Sequence, residues 1–221
     1  MTRVAFHAEL KKLEAEVLTL GDMVDKAVRG SIDALEKRDI EASKAIIRND
    51  AEINKKRYEI EDACLLLIAT QQPMAVDLRS IAAMLSIVTE LERIADHAEG
   101  TAKISVMIGD KPLIKPLDNL PKMAEKGLSM LERCLTAFTE RDAATARAIC
   151  DEDDEVDALY EEEYRDLIHM MIKNPDLIEE ATYLIWVGHN LERIADRVTN
   201  IAERVVFMVT GKMEEINVSR Y

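Results

Sequence analysis

The sequence predicts an all-α protein made of two tandem three-helix bundles that are related by internal duplication. Glycine and proline are scarce, at seven and five in 221 residues, and this composition favours long helices over a sheet with many turns. Apolar residues recur every three or four positions, as they do in amphipathic helices. The segment Glu90–Asp96 (ELERIAD) returns 100 residues later as Asn190–Asp196 (NLERIAD). A repeat of this length is typical of two copies of a small domain.

The first copy is predicted to contain three long helices joined by short turns. The first helix covers residues 3–37, and Asp39 is a candidate N-cap for a second helix over 40–70. Pro73 marks the next turn, and a third helix follows over 76–107. The apolar line of the first helix consists of Leu10, Leu13, Val17, Leu20, Val24, Val28, Ile32 and Leu35.

A linker is predicted between the two copies. Residues 109–121 contain three prolines, which a continuing helix would not tolerate. We therefore expect two domains, residues 1–110 and residues 111–221, each an up-down-up bundle of three helices.

The second copy is predicted to repeat the three helices. They are expected over residues 117–139, 143–173 and 175–210, with the first of them starting as late as residue 121. Asp142 and Asn174 are the candidate N-caps, and Gly211 is the expected C-terminal stop. Six long helices result, three in each copy.

The composition excludes several classes of function. A formal net charge of −14 argues against non-specific binding to nucleic acid or to anionic membranes, since both depend on basic patches. No apolar run is long enough to span a bilayer and no signal-peptide pattern is present, so we expect a cytoplasmic protein without membrane insertion. The three cysteines, Cys64, Cys134 and Cys150, lack metal-ligand spacing and are expected to be buried and reduced.

Two facing helices are predicted to bring polar residues of the first copy to one height. Glu92 and Asp96 are four residues apart and therefore share a helix face. In antiparallel helices, residues equally distant from the turn lie side by side, which sets Asp50 beside Asp96 and Asn54 beside Glu92. Asp50 also lies on an apolar line of its helix, where a lone carboxylate is costly unless it is paired or binds a metal.

The second copy has the same arrangement with one more carboxylate. Asp153 is expected beside Asp196 and Asp157 beside Glu192, and Asp153 again interrupts an apolar line. Several oxygen ligands on facing helices suit a divalent cation such as Fe, Zn, Mn or Mg. Because the second copy has four acidic groups against three, we expect it to bind metal at least as well as the first.

A second interpretation of these acidic faces stays open. With 43 Asp and Glu in the chain, pairs spaced by four residues arise by chance, and Arg93 and Arg193 could neutralise them as simple ion pairs. A ferritin-like di-metal enzyme or a metal-storage protein is the alternative function. That class needs Glu-x-x-His motifs, whereas the chain has only Asp166–His169. We assign no catalytic residue and no residue that binds an organic cofactor.

Three motifs give the chain a resemblance to the PhoU family of accessory proteins of bacterial phosphate-specific transport. They are QQPMAVDLR at Gln71–Arg79, LERIAD at Leu91–Asp96, and LERIADRVTNIAERVVFMVTGK at Leu191–Lys212. Their combination at this spacing is specific, and the resemblance covers nearly the whole chain. Ala95 and Ala195 stand where the family commonly has Gly.

The resemblance implies a function and a set of partners. The protein would lower phosphate-starvation signalling when phosphate is plentiful, by contacting the sensor histidine kinase and the ATPase of the phosphate ABC transporter. It also implies a cytoplasmic homodimer without turnover of its own. The family's acidic motifs, which hold metal clusters in some members, map to Asp50, Asn54, Glu92, Asp96, Asp153, Asp157, Glu192 and Asp196.

Two positions depart from that pattern in the first copy. Asn54 breaks the strict acidic motif. Gly100 stands where the second copy has Asn200, which predicts one polar group fewer in the first site.

Overall fold

Long helices account for nearly all of the structure, a computed structural model that describes residues 3–216. A 3-10 turn at Pro175–Leu177 precedes the last helix. The described residues contain no β-strand, so the predicted all-α class is confirmed. None of their helices is long and apolar enough to cross a membrane. The α-helices are α1 (Arg3–Lys37), α2 (Ile40–Gln71), α3 (Val76–Ile108), α4 (Asn119–Glu140), α5 (Ala143–Cys150), α6 (Asp153–Lys173) and α7 (Ile178–Thr210).

Most helix ends lie where the sequence predicts them. Asp39 accepts a hydrogen bond of 2.9 Å from an amide in the first turn of α2, and Asp142 accepts two from the first turn of α5. Both aspartates are therefore N-caps. Gly211 follows the last residue of α7 and ends the helix, since it has a φ of 75° and adopts this left-handed conformation without a steric penalty.

The predicted fifth helix is interrupted and forms α5 and α6. The amides of Asp151 and Glu152 bond to carbonyls three residues earlier, at 3.3 and 3.1 Å, in place of the usual four. Residues 151–155 are all acidic, so repulsion and the weak helix propensity of Asp oppose a continuous helix. Acidic side chains are favourable in a first turn, however, and α6 begins at Asp153.

The two copies pack through their third helices. α1, α2 and α3 form one bundle, α4 to α7 form the other, and α3 and α7 make the most extensive contact of any two helices. They run antiparallel, since Glu90 meets Asn200 while Gly100 meets Asn190. Because α3 and α7 are covered on both sides, they bury more residues than α2 or α6. The buried residues form one continuous core, and the domain boundary at residue 110 stays a prediction.

Gly100 and Asn200 lie at this interface and not at the acidic sites. A Cβ at Gly100 would stand 3.1 Å from Asn190 Nδ2, so the glycine leaves room for that side chain. Asn190 Oδ1 in turn lies 3.2 Å from His97 Nδ1. Asn200 donates a hydrogen bond of 3.3 Å to Glu90. The expectation that Gly100 removes a polar group from the first acidic site is therefore wrong.

The three cysteines are buried and form no disulfide. Burial raises the pKa of the Cys64 thiol to about 12, so this thiol stays protonated at neutral pH. The cysteines serve as small apolar core residues, as the sequence predicts.

Candidate metal centre

Helices α2 and α3 bring three carboxylates of the first copy together. Asp50 comes from α2, and Asp96 and Glu99 come from α3. One carboxylate oxygen of each lies within 4.8 Å of the others. Within residues 3–216 this is the one group of three or more acidic, His or Cys side chains that are close enough to share a metal ion. We call these three residues the first acidic cluster.

The Asp50 carboxylate is half-buried, and it supplies the α2 side of the first acidic cluster. Its Oδ2 accepts a hydrogen bond of 2.7 Å from Asn54 Nδ2, while its Oδ1 is buried without a hydrogen-bond partner. Burial raises the pKa of Asp50, and the nearby charges of Glu99, Asp96 and Glu92 raise it further. A bound cation would satisfy the free oxygen and offset this repulsion.

Asp96 and Glu99 supply the oxygens on the α3 side. Burial, followed by the charge of Glu99, raises the pKa of Asp96. Glu99 is also held by Lys103, whose Nζ lies 2.6 Å from Glu99 Oε2. The sequence reasoning missed Glu99, although it lies three residues after Asp96 and therefore shares its helix face.

Glu92 takes part in an ion pair instead of the first acidic cluster. Arg57 Nη1 lies 2.7 Å from Glu92 Oε1, and Arg57 Nε lies 2.8 Å from Glu61 Oε1. Arg93, the partner named in the ion-pair interpretation, pairs with Glu90 at 2.8 Å. The ion-pair interpretation therefore describes Glu92, but with Arg57 of α2 as its partner.

The four acidic residues of the second copy are less closely grouped. Asp196 is engaged by Arg193 in an ion pair, and Asp153 is buried at the first residue of α6, just after the helix break. Burial raises the pKa of Asp157, and the negative charge of Asp196 raises it further. Within residues 3–216, only the first copy thus brings three carboxylates close enough to share a cation. Which copy binds metal more tightly stays a prediction.

Glu192 is a nearly buried carboxyl group of the second copy. It is 9% exposed, and its Oε2 is buried without a hydrogen bond. His189 Nδ1 lies 3.5 Å from that oxygen, which is longer than an ordinary N–H···O hydrogen bond. Burial raises the pKa of Glu192 to about 7; Asp196 and Asp157 add to the rise, and Arg193 opposes it.

The donor set of the first acidic cluster fits a divalent cation. It offers three carboxylates with like charge, one of which has a free buried oxygen. Oxygen-only sites suit Mg²⁺ and Mn²⁺ better than Zn²⁺, which prefers His and Cys ligands. Asp50, Asp96 and Glu99 are therefore the residues that would hold a metal in this chain.

Comparison with known proteins covers nearly the whole chain. The PhoU domain matches twice, at residues 17–105 and 120–205, in agreement with the internal duplication. A phosphate-specific transport system accessory protein PhoU homolog of Clostridium acetobutylicum is 38% identical, over 98% of this chain and 100% of its own length.

Solved structures agree with this comparison. The crystal structure of the phosphate transport system regulatory protein PhoU from Streptococcus pneumoniae superposes with a TM-score of 0.89 at 32% identity, covering 95% of this chain and 99% of that one. PhoU from Pseudomonas aeruginosa gives a TM-score of 0.89 at 30% identity, covering 94% and 100%. The sequence resemblance is thereby confirmed, and the chain belongs to the PhoU domain family.

Proposed function

We propose that this chain is a regulatory adaptor of phosphate uptake. The observation that carries the proposal is the match along the full length of accessory proteins of phosphate-specific transport, at 38% identity for the relative from Clostridium acetobutylicum. In this role the chain contacts the phosphate ABC transporter ATPase and the sensor histidine kinase. It lowers the phosphate-starvation response when phosphate is plentiful.

The proposed role includes location and assembly. The adaptor works in the cytoplasm as a homodimer, and it is organised as two PhoU-like domains, residues 1–110 and 111–221. Its charge of −14 suits basic surfaces on its partners and disfavours nucleic acid. We propose no turnover for it, since its full-length relatives carry the names of accessory and regulatory proteins.

Affinity capture of the tagged chain tests the adaptor role. From cells grown with ample phosphate and from starved cells, we expect the transporter ATPase and the sensor kinase among the captured proteins. Deleting the gene should raise the output of a phosphate-starvation reporter in ample phosphate, and restoring the gene should lower it again. Capture of neither partner in either condition, with an unchanged reporter, would refute the adaptor role.

We also propose that the adaptor binds a divalent metal at the first acidic cluster, with Mn²⁺ or Mg²⁺ favoured over Zn²⁺ by the oxygen ligands. The closeness of Asp50, Asp96 and Glu99 supports this assignment. Asp96→Asn should weaken Mn²⁺ binding at least about tenfold, since it replaces one of the three charged ligands. Equilibrium dialysis followed by metal analysis gives the affinity.

Asp196→Asn is the matched control for the metal site. It makes the same change at the equivalent position of the second copy, and it should leave the first acidic cluster intact. Equal metal content in both variants and the wild-type protein would mean that the first acidic cluster is solvated surface. A larger loss of bound metal in Asp196→Asn than in Asp96→Asn would mean that the metal site lies in the second copy.

A further inference from the structure

Exposed apolar side chains are concentrated at one end of the first bundle. Residues 58–78 comprise the C-terminal part of α2, the turn after it and the start of α3, and we call them the first tip. They hold six of the fourteen large apolar side chains that are exposed within residues 3–216. A patch of this kind on a folded domain marks an interaction site. Its members, all between 41% and 80% exposed, are Tyr58, Leu65, Leu66, Met74, Val76 and Leu78.

A groove between α1 and α2 adjoins the first tip. It encloses about 360 Å³, and its floor includes the core residues Leu13, Ile60 and Leu67. Leu66 lines the groove and is also 64% exposed, so it connects the exposed apolar side chains of α2 with the apolar part of the groove. A groove between two long helices accepts a third helix by the packing that holds helical bundles together.

Carboxylates outnumber cations around this surface. Within residues 58–78 there are four carboxylates and no Lys or Arg. Glu61 is neutralised by Arg57 from outside the tip, which leaves Glu59, Asp62 and Asp77. The groove itself is lined by three carboxylates, Glu9, Glu16 and Glu59, and by two lysines, Lys12 and Lys56. Lys56 is paired with Glu16 of α1. A cationic partner is therefore attracted, and an anionic membrane surface is repelled.

We propose that the first tip and its groove bind a cationic amphipathic helix of a partner protein. The apolar face of that helix packs on Leu65 and Leu66 and enters the groove, and its Lys and Arg residues approach Glu59, Asp62 and Asp77. This assignment rests on the proposed adaptor function, because an adaptor needs a surface that holds a partner.

A designed peptide tests the docking surface without knowledge of the partner. The probe is a labelled 18-residue helix with Leu and Ala on one face and Lys on the other, and its reference carries Glu in place of Lys. Fluorescence anisotropy should show at least about tenfold tighter binding of the Lys peptide, weakening as salt rises. The double variant Leu65→Ser/Leu66→Ser should lose at least about tenfold in affinity for it.

Ile172→Ser is the matched control, because Ile172 is an exposed apolar residue at the corresponding end of the second bundle. It should bind the Lys peptide as the wild-type protein does. Neither variant alters the charge of the protein. If the Lys peptide bound only through a general attraction to the acidic protein, both variants would bind it with equal affinity, and this result would overturn the proposal. If the double variant lost affinity for neutral phosphatidylcholine vesicles, the surface would be a lipid-binding one. If its mass in sedimentation changed, the surface would be a self-association one. Either result would also overturn the proposal.

The peptide assay tests the docking surface, and the affinity capture tests the adaptor role, so either proposal can be refuted without the other. A normal capture of both partners by the double variant, together with unchanged peptide binding, would refute the docking surface and leave the adaptor role intact. Normal peptide binding with no captured partner would refute the adaptor role and leave the docking surface intact.

Discussion

Replacing Lys115 with Met should lower the free energy of unfolding by about 3–5 kcal/mol. Lys115 lies between α3 and α4, and its Nζ is 2.8 Å from Glu163 Oε2 of α6. The Glu163 side chain is 1% exposed, so the substitution leaves a carboxylate in the interior without its cation. Asp166 is 4.0 Å from Lys115 but largely exposed, so it adds little. Urea unfolding of the metal-free protein gives the free energy.

Two further variants separate the buried pair from other effects of the substitution. Lys115→Met/Glu163→Met replaces both charges by apolar groups, and it should recover most of the lost stability. Lys37→Met removes the cation of an exposed pair with Asp33, and it should cost less than about 1 kcal/mol. If Lys115→Met costs no more than Lys37→Met, the Lys115 pair does not fix the linker to α6.

The fold could be predicted from the sequence because its signals are local and repeated. The apolar line of α1 continues for nearly the whole helix, and Asp39 and Asp142 are caps whose effect depends on the next three residues alone. The break between α5 and α6 was missed because the apolar period continues across it. Only the unusual run of five acids at 151–155 indicates the break.

The candidate site could be predicted only in part. Equal distance from a turn places Asp50 near Asp96, because backbone geometry alone sets the height of a residue along its helix. The same rule cannot say which long side chain reaches which carboxylate. Arg57 forms an ion pair with Glu92, and Arg193 forms one with Asp196, so a count of acidic residues does not give the number of carboxylates that are free of a cationic partner. These competing ion pairs depend on side-chain conformations that spacing does not determine.

Replacing Glu192 with Gln should stabilise the metal-free protein above pH 7 by about 3 kcal/mol. Burial raises the folded-state pKa of Glu192 from 4.5 to about 7, so the folded protein holds this proton more tightly than the unfolded chain. The contribution of Glu192 is therefore favourable below pH 4.5, and it is lost as the pH rises to about 7. The gain in unfolding free energy from the substitution should be absent below pH 4.5, grow as the pH rises to about 7, and then level off.

Urea unfolding between pH 4.5 and 8 measures this dependence, and Glu36→Gln, at an exposed position of α1, is the control. The control should change the unfolding free energy by no more than about 0.5 kcal/mol at any pH. Parallel pH profiles for wild type and Glu192→Gln would contradict the expectation.

Unfolding in the presence of Mn²⁺ is a second measurement, because a cation bound to Glu192 would favour its ionised carboxylate and so reduce the gain from the substitution. A cation confined to the first acidic cluster should instead stabilise both proteins equally and leave the gain from Glu192→Gln unchanged.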